Sequence, residues 1–162
     1  MFAVHLAARL TRPLLPVHDV ATAYGEDTPA FLRDRRPGGP QLAPLTRAAY
    51  FDVRPVLVAS DNVPGVYAVA LETARAMGWE VELEEAPSAF QAVVTTRLMR
   101  FRDDIVVRVK PDEAGGATRV DARSRSRMGQ GDLGANGARL ARYLARLRRD
   151  LAARQLVVSS RL

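Results

Sequence analysis

The chain has 162 residues, of which 48% are hydrophobic and 26% charged, and this composition is typical of one globular domain. It contains no cysteine, which excludes a disulfide scaffold, a thiol nucleophile and any zinc or iron–sulfur site built on cysteine. Lys and Arg outnumber Asp and Glu by 24 to 18, for a net charge of +6. Lys110 is the only lysine, and its context, between Val109 and Pro111, excludes a phosphate-binding loop of the GxxxxGK[ST] type.

The distribution of proline predicts two regions and a short tail. Seven of the ten prolines fall in the first 55 residues, and proline removes a backbone donor and restricts the residue before it. We therefore predict an irregular Pro-rich arm over residues 1–49, a single domain over residues 50–155 and a C-terminal tail over residues 156–162.

A helix and four strands are predicted at the start of that domain. Asp61 or Asn62 can cap the helix, Pro64 suits its first turn and Gly78 ends it. Alternation of apolar and polar residues then predicts strands from Trp79 to Glu84, from Phe90 toward Phe101, from Asp104 to Lys110, and from Thr118 to Met128. Asp103 and Asp104 would point to opposite faces if both lay in a strand, but we expect a turn there, between the second and third strands.

The last predicted element is an amphipathic helix. Leu133, Leu140, Leu144, Leu147 and Leu151 share one face, and Arg139, Arg142, Arg146 and Arg149 fall on the other. This pattern predicts a helix that begins at Leu133 with Asp132 as its N-cap, and Gly134 and Gly137 would allow close packing on the sheet. The fold class is α+β, a four-stranded antiparallel sheet with two helices packed on one face.

Three strings of sequence resemble the bacterial domain-of-unknown-function family 1499. They are Phe101-Arg-Asp-Asp-Ile-Val-Val-Arg108, Val120-Asp-Ala-Arg-Ser-Arg-Ser-Arg-Met-Gly129 and Asp132-Leu-Gly-Ala-Asn136 with Arg139. The resemblance covers residues from Tyr50 to Leu151, with a weaker match in the arm from His18. It implies a periplasmic or membrane-associated location at the cell envelope and assigns no reaction. Composition alone points elsewhere, to the cytoplasm, because the chain has no apolar run of about 20 residues and no signal-peptide pattern.

Two motifs are interpreted as structural. Gly129 to Gly134 spell G-x-G-x-x-G, but the preceding strand alternates Arg and Ser and too few residues follow for a nucleotide domain, so we interpret these glycines as a tight turn into a closely packed helix. Asp104 is expected to form a salt bridge on the outer face of the sheet. The histidines, His5 and His18, lack further ligands at a metal-binding spacing, so neither a metal nor a cofactor is predicted.

The candidate contact residues are polar side chains of the last strand and helix, namely Arg123, Arg125, Arg127, Asn136 and Arg139. Asn136 lies at the edge of the leucine face, where it would need partners such as Ser124 and Ser126. Residues 122–162 hold ten arginines and two aspartates, but Tyr143 is their only aromatic residue, which disfavours nucleic acid.

The leading prediction of function is a non-catalytic binding or interaction module at the cell envelope. It would present the arginine strand and the basic helix face to an acidic protein partner, an anionic ligand or an anionic membrane surface. The alternative is an enzyme or ligand-binding protein whose anionic substrate lies near Arg127, Asp132 and Asn136. The sequence favours the non-catalytic alternative and leaves the oligomeric state open.

Overall fold

The computed structural model describes residues 18–34, 43–96, 100–128 and 134–158, which form an α+β fold on one antiparallel sheet. In chain order its elements are β1 Asp19–Ala21, a 3-10 turn Gly25–Asp27, α1 Ala43–Ala49, β2 Val56–Val58, α2 Val63–Ala76, β3 Glu80–Glu85, β4 Ala89–Thr95, β5 Arg102–Pro111, β6 Thr118–Ser126 and α3 Ala135–Ala153. The predicted class is correct. Within the described residues, however, the sheet has six strands where four were predicted, and there are three α-helices where two were predicted.

Both additional strands pair with the same edge of β6. The sheet order is β1-β6-β5-β4-β3, with β1 opposite residues 123–125 and β2 opposite residues 118–120. Together they cover the backbone groups that an edge strand would otherwise expose. The arm was predicted to be irregular over residues 1–49, but its described part supplies β1 and α1 and is therefore partly regular. The predicted tail also joins the fold, because Val158 forms a bridge with Val58.

Strands β3 to β6 form the predicted meander, with two differences at their ends. Strand β4 ends at Thr95 and does not run on toward Phe101. Asp103 and Asp104 lie inside β5, which begins at Arg102, so the predicted turn is wrong. They remain extended because both are paired across the ladder to β6, and their side chains therefore point to opposite faces.

The helices pack on one face of the sheet and enclose the core. The rings of Trp79 and Tyr143 stack with centroids 4.6 Å apart between α2 and α3. The Tyr143 hydroxyl donates to the Ala70 carbonyl at 3.0 Å, so this buried phenol is satisfied within the core. Helix α1 adds Ala49 to the same cluster.

Helix α2 follows its prediction closely. The side chain of Asn62 caps it by accepting from the Gly65 N–H at 3.0 Å. Gly78 follows the helix with φ 78°, a left-handed conformation that glycine adopts without strain.

Helix α3 begins two residues later than predicted. Its first residue is Ala135, not Leu133, and Gly134 occupies the N-cap position with φ 81°. The prediction of Asp132 as the N-cap is therefore wrong. Glycine adopts this left-handed φ without strain, and the spacing of the leucines carries no information about where such a residue precedes the helix. Asp132 and Gly129 lie outside the described residues.

Gly137 allows close packing in the first turns of α3, as predicted, but the neighbour is Tyr50 and not the sheet. A β-carbon built on Gly137 would lie 2.2 Å from Tyr50 Cε1. The tyrosine ring thus occupies the space that a side chain would need.

Candidate functional site

The predicted arginine face of β6 is covered by the chain itself. Residues 22–34, which we call the strap, cross this face after β1. Arg123 donates Nε and Nη2 to the two carboxylate oxygens of Asp19 at 2.9 and 2.7 Å, and Nη1 to the Pro29 carbonyl at 3.1 Å. Its guanidinium also lies 4.8 Å from the ring centroid of Phe31. Only 3% of Arg123 is exposed, so it is not available to a partner.

The other two strand arginines also have carboxylate partners. Arg125 lies 4.4 Å over the Phe31 ring and pairs with Asp34 at 2.9 Å. Arg127 binds both oxygens of Asp104, at 2.7 to 3.1 Å, which is the salt bridge predicted for Asp104. Hydrogen bonding to Asp104 raises the pKa of Arg127 above its ordinary value. The arginine strand is thus a set of internal ion pairs.

Asp27, in the strap, joins three cations on the same face. Its carboxylate oxygens lie 2.9 Å from Lys110 Nζ, 3.1 Å from Arg119 Nη2 and 3.3 Å from Arg108 Nη2. The hydrogen bond from Lys110, followed by the charge of Arg119, holds the pKa of Asp27 below its ordinary value. Buried Asp121 also binds Arg108 and Arg119, so carboxylates of the chain neutralise most of this cationic group.

A buried polar cluster lies on the other face, where α3 begins. The Asn136 amide oxygen accepts from Ser124 Oγ at 2.5 Å and from Arg139 Nη1 at 2.6 Å. The amide nitrogen donates to Ser126 Oγ at 2.9 Å and to the His18 carbonyl at 3.2 Å. Asn136 and Ser124 are both fully buried. The predicted serine partners of Asn136 are confirmed, and the cluster joins β1, β6 and α3.

Arg139 completes this cluster, although the helical pattern placed it on the solvent side. Its Nη2 donates to Asp103 Oδ2 at 2.6 Å, and the two residues are 6% and 1% exposed. The reason is the register of β5, which points the Asp103 carboxylate toward the helices, where burial without a cation would be costly. Among the described residues, the second Asp103 oxygen has no hydrogen-bond partner.

The residues suggested for an anionic substrate are not brought together. Arg127 binds Asp104 on the strap side of the sheet, whereas Asn136 is buried on the helix side. Asp132 lies outside the described residues. The described residues also contain no group of three histidine, aspartate or glutamate side chains placed to hold a metal.

The outer surface of α3 contains a groove of about 710 Å³. Its lining residues come from α3 and two neighbouring connections, and they are Asp52, Met77, Ala138, Ala141, Arg142, Ala145, Arg146 and Arg149. The three alanines form an apolar base and the three arginines form a basic rim. We call this set the α3 groove.

The basic rim is only partly neutralised by the chain. Arg146 pairs with Asp150 at 3.3 Å, and Asp150 also accepts from Thr73 of α2. In the described part of the chain, neither Arg142 nor Arg149 pairs with a carboxylate, and Arg142 donates only to the Ala138 carbonyl. The groove is therefore lined by three arginines and one carboxylate, that of Asp52, around an apolar base, and its net charge is positive.

Sequence periodicity located the arginines of this helix face but not the groove. A groove needs walls on both sides, and these come from Asp52, after α1, and from Met77, at the end of α2. Both lie more than 50 residues from the groove residues of α3, so no local pattern indicates their position. The sequence did contain one sign of the groove: Ala138, Ala141 and Ala145 lie on the same helix face as the arginines.

One comparison identifies a family. A family model described as "Protein of unknown function (DUF1499)" matches residues 22–147, which include the strap, every strand of the sheet except β1, and most of α3. No curated protein matches the chain. Within the described residues, no helix has the length and hydrophobicity needed to cross a membrane.

Proposed function

Because the chain belongs to the DUF1499 family, whose description assigns no activity, we propose its function from geometry: a non-catalytic module that binds an acidic protein partner through the α3 groove. The expected location at the cell envelope rests on the family resemblance alone. The observation that carries the proposal is the difference between the two sets of arginines.

The strand arginines and the rim arginines differ in their partners. Arg123, Arg125 and Arg127 each hold a carboxylate of the chain. Arg142 and Arg149 of the rim hold none in the described residues. A cation that is already paired and buried gains little from a new anion, whereas an unpaired one at a surface gains a charge-assisted contact. The binding surface is therefore the α3 groove.

The apolar base favours a protein partner over the other anions. Nucleic acid binding commonly uses aromatic side chains for base stacking, and the one aromatic residue of α3, Tyr143, is buried in the core. A flat lipid surface satisfies the arginines but does not fill the space above Ala138, Ala141 and Ala145. A protein side-chain surface satisfies both, because interfaces combine an apolar centre with a polar rim.

The test compares an acidic polypeptide with an anionic membrane as probes. The first probe is a fluorescein-labelled oligoglutamate peptide, and the second is vesicles of phosphatidylglycerol and phosphatidylcholine. The groove variant is Arg142→Ala/Arg149→Ala. The matched control is Arg33→Ala/Arg75→Ala, which makes the same change in net charge at two exposed arginines that pair with Glu82 and Glu84.

We expect wild-type protein to bind the peptide with an affinity that falls as salt rises, and the groove variant to bind it at least tenfold more weakly. The control should retain wild-type affinity. Equal losses in both variants would show an effect of net charge alone, and binding to vesicles without binding to the peptide would assign the groove to a membrane. Either result overturns the proposal.

A further inference from the structure

We propose that the occupant of the α3 groove is one amphipathic, acidic α-helix of the partner, an inference that rests on the proposed function and deepens it. The backbone of α3, the shape of the groove and the spacing of its arginines each favour such a helix.

The backbone of α3 excludes an extended occupant. Every residue of the groove that α3 supplies lies inside the helix Ala135–Ala153, so its N–H and C=O groups are used within that helix. An extended peptide laid in the groove would find no backbone partners, and strand addition requires an open sheet edge. A helix brings its own backbone hydrogen bonds and needs only side-chain contacts.

The open sheet edge does not offer an acidic segment another place to bind. Strand β3 ends the sheet order and pairs only with β4 in the described residues. Its sequence is Glu-Val-Glu-Leu-Glu-Glu, with Glu80, Glu84 and Glu85 exposed. Repulsion between like charges therefore keeps an acidic strand from this edge.

The dimensions of the groove match a short helix. From Ala138 to Arg149 the groove follows twelve residues of α3, whose eleven steps of 1.5 Å give a length of about 16 Å. Ala138, Ala141 and Ala145 are separated by three and four residues, so their methyl groups lie on one side of α3. Small side chains at a contact allow two helix axes to approach to about 8 Å. The space above them accepts the apolar side of a three-turn helix.

The rim sets the charge pattern of that helix. Arg142, Arg146 and Arg149 follow each other at intervals of four and three residues. A partner helix running beside α3 presents side chains at the same intervals, so carboxylates three and four residues apart would meet successive guanidinium groups. Its apolar residues would face the alanine methyls.

The experiment uses a set of labelled peptides of about 16 residues with one composition. One pair places leucines on one helical face and glutamates beside them, in both chain directions, so that a parallel and an antiparallel occupant are covered. A third peptide scrambles the same residues and destroys the face. Affinity is measured by fluorescence anisotropy, and helix formation on binding by circular dichroism of the peptide.

Two substitutions report on the base of the groove without changing charge. Ala145→Leu fills the groove, and Ala152→Leu is its control on an exposed position of α3 that does not line the groove. Circular dichroism of each variant establishes that α3 is intact. We expect one amphipathic peptide to gain helix on binding and to bind the wild-type protein at least tenfold more tightly than the scrambled peptide does. Its affinity should be at least tenfold lower for the Ala145→Leu variant and unchanged for the Ala152→Leu variant.

The failures of the two proposals are distinguishable. The helical occupant is refuted, and the acidic partner stands, if all peptides bind equally and stay unstructured. In that case Ala145→Leu leaves their affinity unchanged and Arg142→Ala/Arg149→Ala lowers it. If no acidic peptide binds the wild-type protein, both are refuted.

Discussion

The ion pair of Asp103 and Arg139 holds the start of α3 on the sheet, and Arg139→Met tests its importance. Both residues are buried, and Nη2 of Arg139 is the one hydrogen-bond donor that the described residues bring to the carboxylate. Methionine keeps much of the side-chain length but leaves a buried carboxylate without a cation. Ser124 and Asn136 lose the hydrogen bonds from Arg139 Nη1 but keep the one between them, so the largest loss falls on Asp103.

Removal of one partner of a buried ion pair costs about 3–5 kcal/mol. For a domain with a total stability of about 5–15 kcal/mol, this is a large share. At a urea dependence of about 2 kcal/mol per molar, the expected change is a decrease of about 2 M in the urea midpoint. Circular dichroism during a urea titration measures it directly.

Two further variants test whether the unpaired carboxylate of Asp103 causes this loss of stability. Arg149→Met changes an exposed arginine of the same helix and should stay within about 0.5 kcal/mol of wild type. Asp103→Val/Arg139→Met removes both charges and should recover most of the lost stability, because apolar replacement of a buried pair is often neutral. A loss of less than about 1 kcal/mol for Arg139→Met, or a double variant no more stable than the single one, would contradict this role of the ion pair.

Three other outcomes are expected from single contacts. Gly137→Ala should destabilise by about 1–3 kcal/mol in a urea titration despite the better helix propensity of alanine, since its methyl group would meet the ring of Tyr50; an unchanged midpoint would show that the ring moves at no cost. Asn62→Ala should cost about 0.5–2 kcal/mol through loss of the α2 cap, whereas Asp61→Ala, one residue earlier, should not; equal losses would contradict the capping assignment. The pKa of Asp27 is lowered in the folded chain, so its ionised carboxylate stabilises the fold above the ordinary pKa of 3.8, and this stabilisation is lost as pH falls through the folded pKa. Asp27→Asn should therefore make the free energy of unfolding fall less steeply on acidification. An unchanged fall would contradict the contacts of Asp27.

The elements with a long, regular pattern were predictable from the sequence. The cap of α2 and the alternation of β5 and β6 are local properties, and the structure contains them within a few residues. The two additional strands were not predictable, because three residues are too short for alternation to be read. They form only because β6 offers an unpaired edge, which is a property of the assembled sheet.

For the candidate site, the residue types were predictable but their partners were not. The sequence indicated that Asn136 needs serine partners, since a polar residue at the edge of an apolar stripe must be satisfied. It did not indicate that Arg123 would be neutralised by Asp19, which lies more than 100 residues away in the chain. Such long-range ion pairs follow from how β1 pairs with β6 and how the strap then crosses the sheet, and no periodicity encodes that path.

Among the described residues, two surfaces differ in how many of their arginines are reached by carboxylates of the chain. On the strap side of the sheet, Asp19, Asp27 and Asp34 are brought onto the arginines, and that surface is close to neutral. On the outer side of α3, Asp150 is shared between Arg146 and Thr73, and the rim keeps its charge. Solubility alone would account for exposed arginines on a packed helix, but it would equally favour polar residues between them. Alanine stands at those positions, so the surface resembles the apolar centre and charged rim of an interface more than an ordinary solvated helix face.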